Sequence, residues 1–157
     1  NVDSLRGYHS LTHGDAPEVI QSGSLQDDVG HIKSILADLQ HDGMEMRQVC
    51  ITARTNDDLD GLARELQGAG VPTLRLDTST TDDASSPGVR LATMHRIKGL
   101  EFGVVVLAAY RGGSAYAEQF RRDEDAGVAE DTELAERCLL HVAATRAKRN
   151  LFVLMRA

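Results

Sequence analysis

Two apolar runs of strand length, residues 89–94 and 104–107, are separated by a charged corner, and this pairing constrains the chain more than any other feature. In the first run Val89, Leu91 and Thr93 fall on one face, with Ala92 and Met94 on the other. Apolar side chains on both faces mark a strand covered on both sides, as in a parallel sheet. Between the runs lie Thr93, His95, Lys98, Gly99 and Glu101. Each uncompensated buried charge is costly, so a corner this polar between two buried strands points to a ligand. In open α/β sheets ligands sit at the carboxyl ends of strands, and the corner is expected at such an end.

The rest of the chain repeats a strand–helix rhythm. Residues 18–22 read as a short strand. Ser24 has the character of an N-cap with Asp27 in the first turn, and Val29, Ile32, Ile35, Leu36 and Leu39 then follow helical spacing until Gly43. A strand over 48–53 follows. Asn56 is expected to cap a second helix carrying Leu59, Leu62, Ala63 and Leu66, ended by Gly68 and Gly70, before a strand over 73–76. Residues 109–129 read as a loop with a short helix, 132–148 as a helix and 151–155 as a last strand. Helices alternating with short apolar strands predict an α/β fold, a mainly parallel sheet with helices on both faces.

The stretch Thr93-Met94-His95-Arg96-Ile97-Lys98-Gly99-Leu100-Glu101-Phe102 resembles motif V of the UvrD/PcrA/Rep-like superfamily-one DNA helicases, T-x-H-x-x-K-G-L-E-F. Residues 136–148, ERCLLHVAATRAK, resemble motif VI of that family, E-R-R-L-x-Y-V-x-x-T-R-A, in the family's order. Arg54-Thr55-Asn56 is similar to an R-x-N segment of the same family. The resemblance implies a RecA-like (P-loop-NTPase-like) three-layer α/β/α domain, the second of a helicase's two motor domains. It covers residues 47–157 well and the first third poorly. Residues 77–88, about a dozen, occupy the place where family members usually insert a large accessory domain.

The same resemblance implies roles. Arg146 would reach the γ-phosphate of ATP as a catalytic arginine, Glu101 would accept from the ribose, and Gly99 would belong to the ATP-binding set. Thr93, His95, Arg54 and Asn56 would contact the backbone of single-stranded DNA. Each has a plainer alternative. Arg146 follows Leu139, Val142 and Ala143 at helical spacing, so it points with an apolar stripe, yet a cation near a helix C-terminus is favoured by the dipole alone. Glu101 is read as opening a buried strand, where Lys98 or an arginine would pair with it. Thr93 and His95 are also ordinary loop-capping types, and Asn56 serves as an N-cap. Gly99 marks either a positive φ or a close ligand approach.

No G-x-x-x-x-G-K-[ST] occurs in the 157 residues, so nothing cradles the β- and γ-phosphates. No acidic pair for Mg²⁺ follows an apolar strand either. The reading is therefore a single second motor domain over 1–157, with an irregular lead-in over 1–16. It is a fragment of a longer helicase whose first RecA-like domain is the partner that supplies the phosphate loop and most of the Mg²⁺ site. This chain alone is expected to be inactive. The alternative is a helicase-like module without motor activity that binds nucleotide or protein.

Composition sets outer limits. A net charge of −7 argues against a generally basic surface and leaves room for a local groove. His9 and His13 have helical ligand spacing but no third ligand nearby, so no metal site is assigned. No apolar run approaches the ~20 residues that span a bilayer and no leader opens the chain. Cys50 and Cys138 lie in apolar segments and read as buried thiols in a reducing compartment, the cytoplasm.

Overall fold

The structure, a computed structural model, describes residues 18–76, 85–97, 99–110 and 145–156. They build one six-stranded sheet, every pairing parallel. In chain order the elements are β1 (Glu18–Gln21), α1 (Leu25–His41), β2 (Val49–Ala53), α2 (Asn56–Gly68), β3 (Thr73–Arg75), β4 (Val89–Thr93), β5 (Phe102–Tyr110) and β6 (Ala147–Met155). Across the sheet the strands run β1-β6-β5-β2-β4-β3. The chain is an α/β domain of RecA-like type.

Local chemistry sets the helix limits. Ser24 Oγ accepts from the Asp27 amide at 3.1 Å, and Asp27 and Asp28 place negative charge where the α1 dipole favours it. Gly43 at φ +89° lets the chain turn away, with the Met44 amide on the Leu39 carbonyl. For α2 the expected cap shifts by one residue. Thr55, not Asn56, is the N-cap, and its Oγ1 accepts from the Asp58 amide at 3.2 Å. Asn56 is the first helical residue.

Both helices pack on one face of the sheet. Ile32, Ile35 and Leu36 of α1 and Leu59, Leu62 and Leu66 of α2 meet Val49, Ile51, Val89, Leu91, Val104 and Val106. The opposite face gathers Cys50, Ala92, Met94, Ile97, Phe102, Val105, Leu107 and Leu151. The two-face assignment of Val89 and Leu91 against Ala92 and Met94 therefore holds, and Cys50 is a buried thiol. The expected helix at 132–148 lies outside the described residues up to 144, as do 1–17, 77–84, Cys138 and most of the loop with a short helix expected over 109–129. Its end is corrected: Ala147 and Lys148 already belong to β6, which starts four residues before the expected Leu151. Likewise Ala109 and Tyr110, expected in a loop, belong to β5.

Residues 94–101 link β4 to β5, which lies two strands away across β2. Parallel connections usually take a dozen residues or more and a helix. Here a tight turn at 94–97, held by the Arg96 and Ile97 amides on the Thr93 carbonyl, is followed by a second turn in which the Leu100 amide donates to the Ile97 carbonyl. Ile97 is fully buried against the sheet beneath this crossing. The link therefore travels over the face opposite the helices, from the carboxyl end of β4 to the amino end of β5.

Candidate functional site: two ends of one sheet

That crossing separates the candidate residues into two sets. Thr93 is level with Ala53, and Thr52 is level with Leu107. Thr93 therefore stands beside the far end of β5, while Glu101 precedes its first residue. Seven residues of strand separate the two levels, on the order of 20 Å at ~3.3 Å per residue. The polar corner expected at the carboxyl end is thus divided: Thr93 and His95 lie there, Glu101 at the amino end.

At the carboxyl end, Arg54 leaves β2 and His95 leaves β4, strands that are neighbours in the sheet. Arg54 Nη1 lies 3.2 Å from His95 Nε2. A guanidinium only donates, so Nε2 is the acceptor in this contact. Thr93 Oγ1 accepts from the Arg96 amide at 3.2 Å, which fixes the turn. Asn56 stands exposed at the start of α2, with its Oδ1 accepting from Arg75 Nη2 at 2.9 Å.

At the amino end, the Phe102 amide donates to the Arg146 carbonyl at 2.9 Å, and Phe102 pairs with Ala147. Glu101 and Arg146 are the residues just before these partners, so backbone pairing sets them side by side. Arg146 is half-buried, and its Nε is buried without a hydrogen-bond partner. Leaving such a donor unmet costs about 1–3 kcal/mol. Glu101 is exposed, against the expectation of a buried acid needing a pair. It borders a cleft of about 340 Å³ with Arg47, Arg90, Lys148 and Arg149. A chain of net charge −7 thus gathers four cations at one spot. Gly99 sits within the crossing at φ +82°, and a Cβ there would meet nothing within 4 Å. Of its two readings, backbone conformation is the one observed.

Sequence reasoning missed Arg90 and Arg75. Arg90 is 1% exposed on β4, and its Nη1 donates to the carbonyls of Ser86 (2.8 Å) and Gly88 (2.7 Å). The signal was a charge inside the apolar run, on the Ala92–Met94 side. Arg75 had no signal beyond its place at the end of an edge strand.

Comparison with known proteins agrees with this architecture. Residues 73–156 match the family model described as the UvrD-like helicase C-terminal domain. The chain belongs to that family. Among solved structures it is similar to the C-terminal domain of a possible DNA helicase from Lactobacillus plantarum. The TM-score is 0.69 at 17% identity, over 99% of this chain and 86% of that one. It is also similar to the C-terminal part of the Fun30 ATPase domain, with a TM-score of 0.48 at 17% identity, over 82% of this chain and 41% of that one. No curated protein matches in sequence. Among the described residues no helix is long and apolar enough to cross a membrane.

Proposed function

We propose that this chain is the second motor domain of an ATP-dependent UvrD-like DNA helicase or translocase, contributing half of an ATP site and part of a single-stranded DNA track. The observation that carries the reading is Arg146: a half-buried arginine whose Nε has no partner, at a position that backbone pairing sets next to that of the exposed Glu101. An acceptor brought by a nucleotide on a partner domain would satisfy it. The guanidinium is planar and permanently charged, which suits a phosphate whose charge spreads during transfer. Glu101 offers paired acceptors to ribose hydroxyls, and Gly99 shapes the crossing that delivers Glu101 to this end. Mg²⁺ is assigned to the partner domain, along with the phosphate-binding loop.

In the same proposal, single-stranded DNA lies across the carboxyl end, with Thr93, His95, Arg54 and Asn56 facing its backbone. The His95 ring and the Arg54 fork are donor types suited to phosphate oxygens. Closure of the two motor domains on ATP, and release after hydrolysis, would alternate the grip on DNA. A cytoplasmic setting goes with this reading. The test is direct. The purified 157-residue chain should bind nucleotide weakly at most and turn over none. ATP hydrolysis by it at a helicase-like rate, with contaminating activity excluded, would defeat the half-site proposal.

A further inference from the structure

Asn56 is exposed at the carboxyl end of the sheet, and the helix it begins does not need it as a cap, because Thr55 fills that role. Its side chain is nevertheless held. Arg75, the last residue of edge strand β3, reaches across to α2 and spans one turn of it. Nη2 donates to Asn56 Oδ1 at 2.9 Å and Nη1 to Asp60 Oδ1 at 2.8 Å. Residues four apart share a helix face, so a planar fork can engage both at once.

A guanidinium has donors and no acceptor. The carboxamide oxygen, not the nitrogen, must therefore face Arg75. The two arms of a carboxamide diverge, so Nδ2 and its two hydrogens are turned away from the guanidinium on an exposed residue. Without Arg75, both orientations of the amide would be open, and half of them would present an oxygen to an anion.

We propose that Arg75 is a positioning residue that locks the Asn56 carboxamide with its NH₂ outward, as a donor for phosphate oxygens of single-stranded DNA. This rests on the proposed DNA track along the carboxyl end. Arg75 itself stays on Asn56 and Asp60 and does not touch the nucleic acid. The arrangement parallels Arg54 and His95, where a second guanidinium lies 3.2 Å from a ring nitrogen.

Two measurements test it separately. In the 157-residue chain, the side-chain NH₂ resonances of Asn56, identified by their loss in Asn56→Ala, should show an immobilised amide by heteronuclear NOE. In Arg75→Ala the amide should become mobile while the melting temperature moves only a few degrees. An amide equally ordered in Arg75→Ala overturns the positioning role. In the full-length protein, anisotropy of a labelled oligothymidylate should show Asn56→Ala and Arg75→Ala each weakening binding about five- to tenfold, as for one lost solvent-exposed hydrogen bond. The double variant should be no weaker than either single one. Arg75→Ala should leave the salt dependence of binding unchanged, whereas a lost phosphate contact lowers that slope by about one. Additive losses or a reduced slope would mean that Arg75 grips the DNA itself and would overturn the proposal. Normal binding by Asn56→Ala, with the amide immobilised by Arg75, would show that the DNA path misses Asn56 and would defeat the DNA half alone.

Discussion

The two ends of this sheet are built differently. At the carboxyl end the candidate side chains are already engaged with one another: Arg54 with His95, Arg75 with Asn56, Thr93 with the turn that follows it. At the amino end Glu101 stands exposed and Arg146 keeps a buried Nε without a partner. The first end resembles a finished surface and the second a half-built one. A finished surface suits a ligand met by one domain over a short stretch. An unfinished one suits a ligand shared with another domain, where the missing acceptor arrives with it.

The largest way to break this contrast is at Arg146. In the full-length protein Arg146→Ala should leave ATP binding largely intact and lower kcat by roughly a hundred- to a thousandfold, since its charge matters most as the γ-phosphoryl group departs. Arg146→Lys should rescue little, because a point charge lacks the fork. Steady-state ATPase assays at saturating single-stranded DNA read both. Unchanged kcat would mean that the unmet Nε has no catalytic meaning.

The next effect concerns what ties the carboxyl end together. Asp28 is fully buried and accepts from Arg156 Nη1 (2.6 Å), Ser22 Oγ (2.5 Å) and the Ala109 amide (3.1 Å). It thereby holds the ends of β1, β5 and β6, including Ala109 at φ +53°, a conformation unfavourable for alanine. Asp28→Ala strands the Arg156 charge and should cost about 3–5 kcal/mol in urea unfolding. A loss below about 1 kcal/mol would show the network to be incidental.

At the amino end the corresponding constraint is backbone packing. Gly88 has φ +107°, and a Cβ there would lie 2.8 Å from the Pro72 carbonyl oxygen. Gly88→Ala combines a strained conformation with a clash and should lower stability by about 2–4 kcal/mol, read by thermal melting. Arg90 is held by that same carbonyl of Gly88, so the substitution should also loosen the cation cluster beside Glu101.

Much of the fold was legible in the sequence. The apolar spacing of Ile32, Ile35 and Leu36 behind Ser24 marked α1, and the alternation around Leu91 marked a strand covered on both faces. The division of the site was not legible. Residues 94–101 read as one corner, because eight residues rarely carry a chain the length of a sheet without a helix, and nothing local signals such a crossing. The start of β6 was hidden for a related reason. Lys148 and Arg149 are exposed near its start, and cations there equally suit the last turn of a helix. Thr55 and Asn56 are both good capping types, and one-residue shifts between such neighbours are decided by backbone geometry rather than side-chain chemistry.

The central claim is that ATP is read at the amino end of the sheet and single-stranded DNA at the carboxyl end. The most direct measurement titrates ATPase activity of the full-length protein with ATP and, separately, with single-stranded DNA, for Glu101→Ala and His95→Ala. Glu101→Ala should mainly raise KM for ATP, since a ribose contact is similar in ground and transition states, and leave the DNA concentration for half-maximal stimulation near normal. His95→Ala should raise that DNA concentration, with KM for ATP at saturating DNA little changed. The opposite assignment, or both variants shifting the same one of the two parameters, would contradict the account.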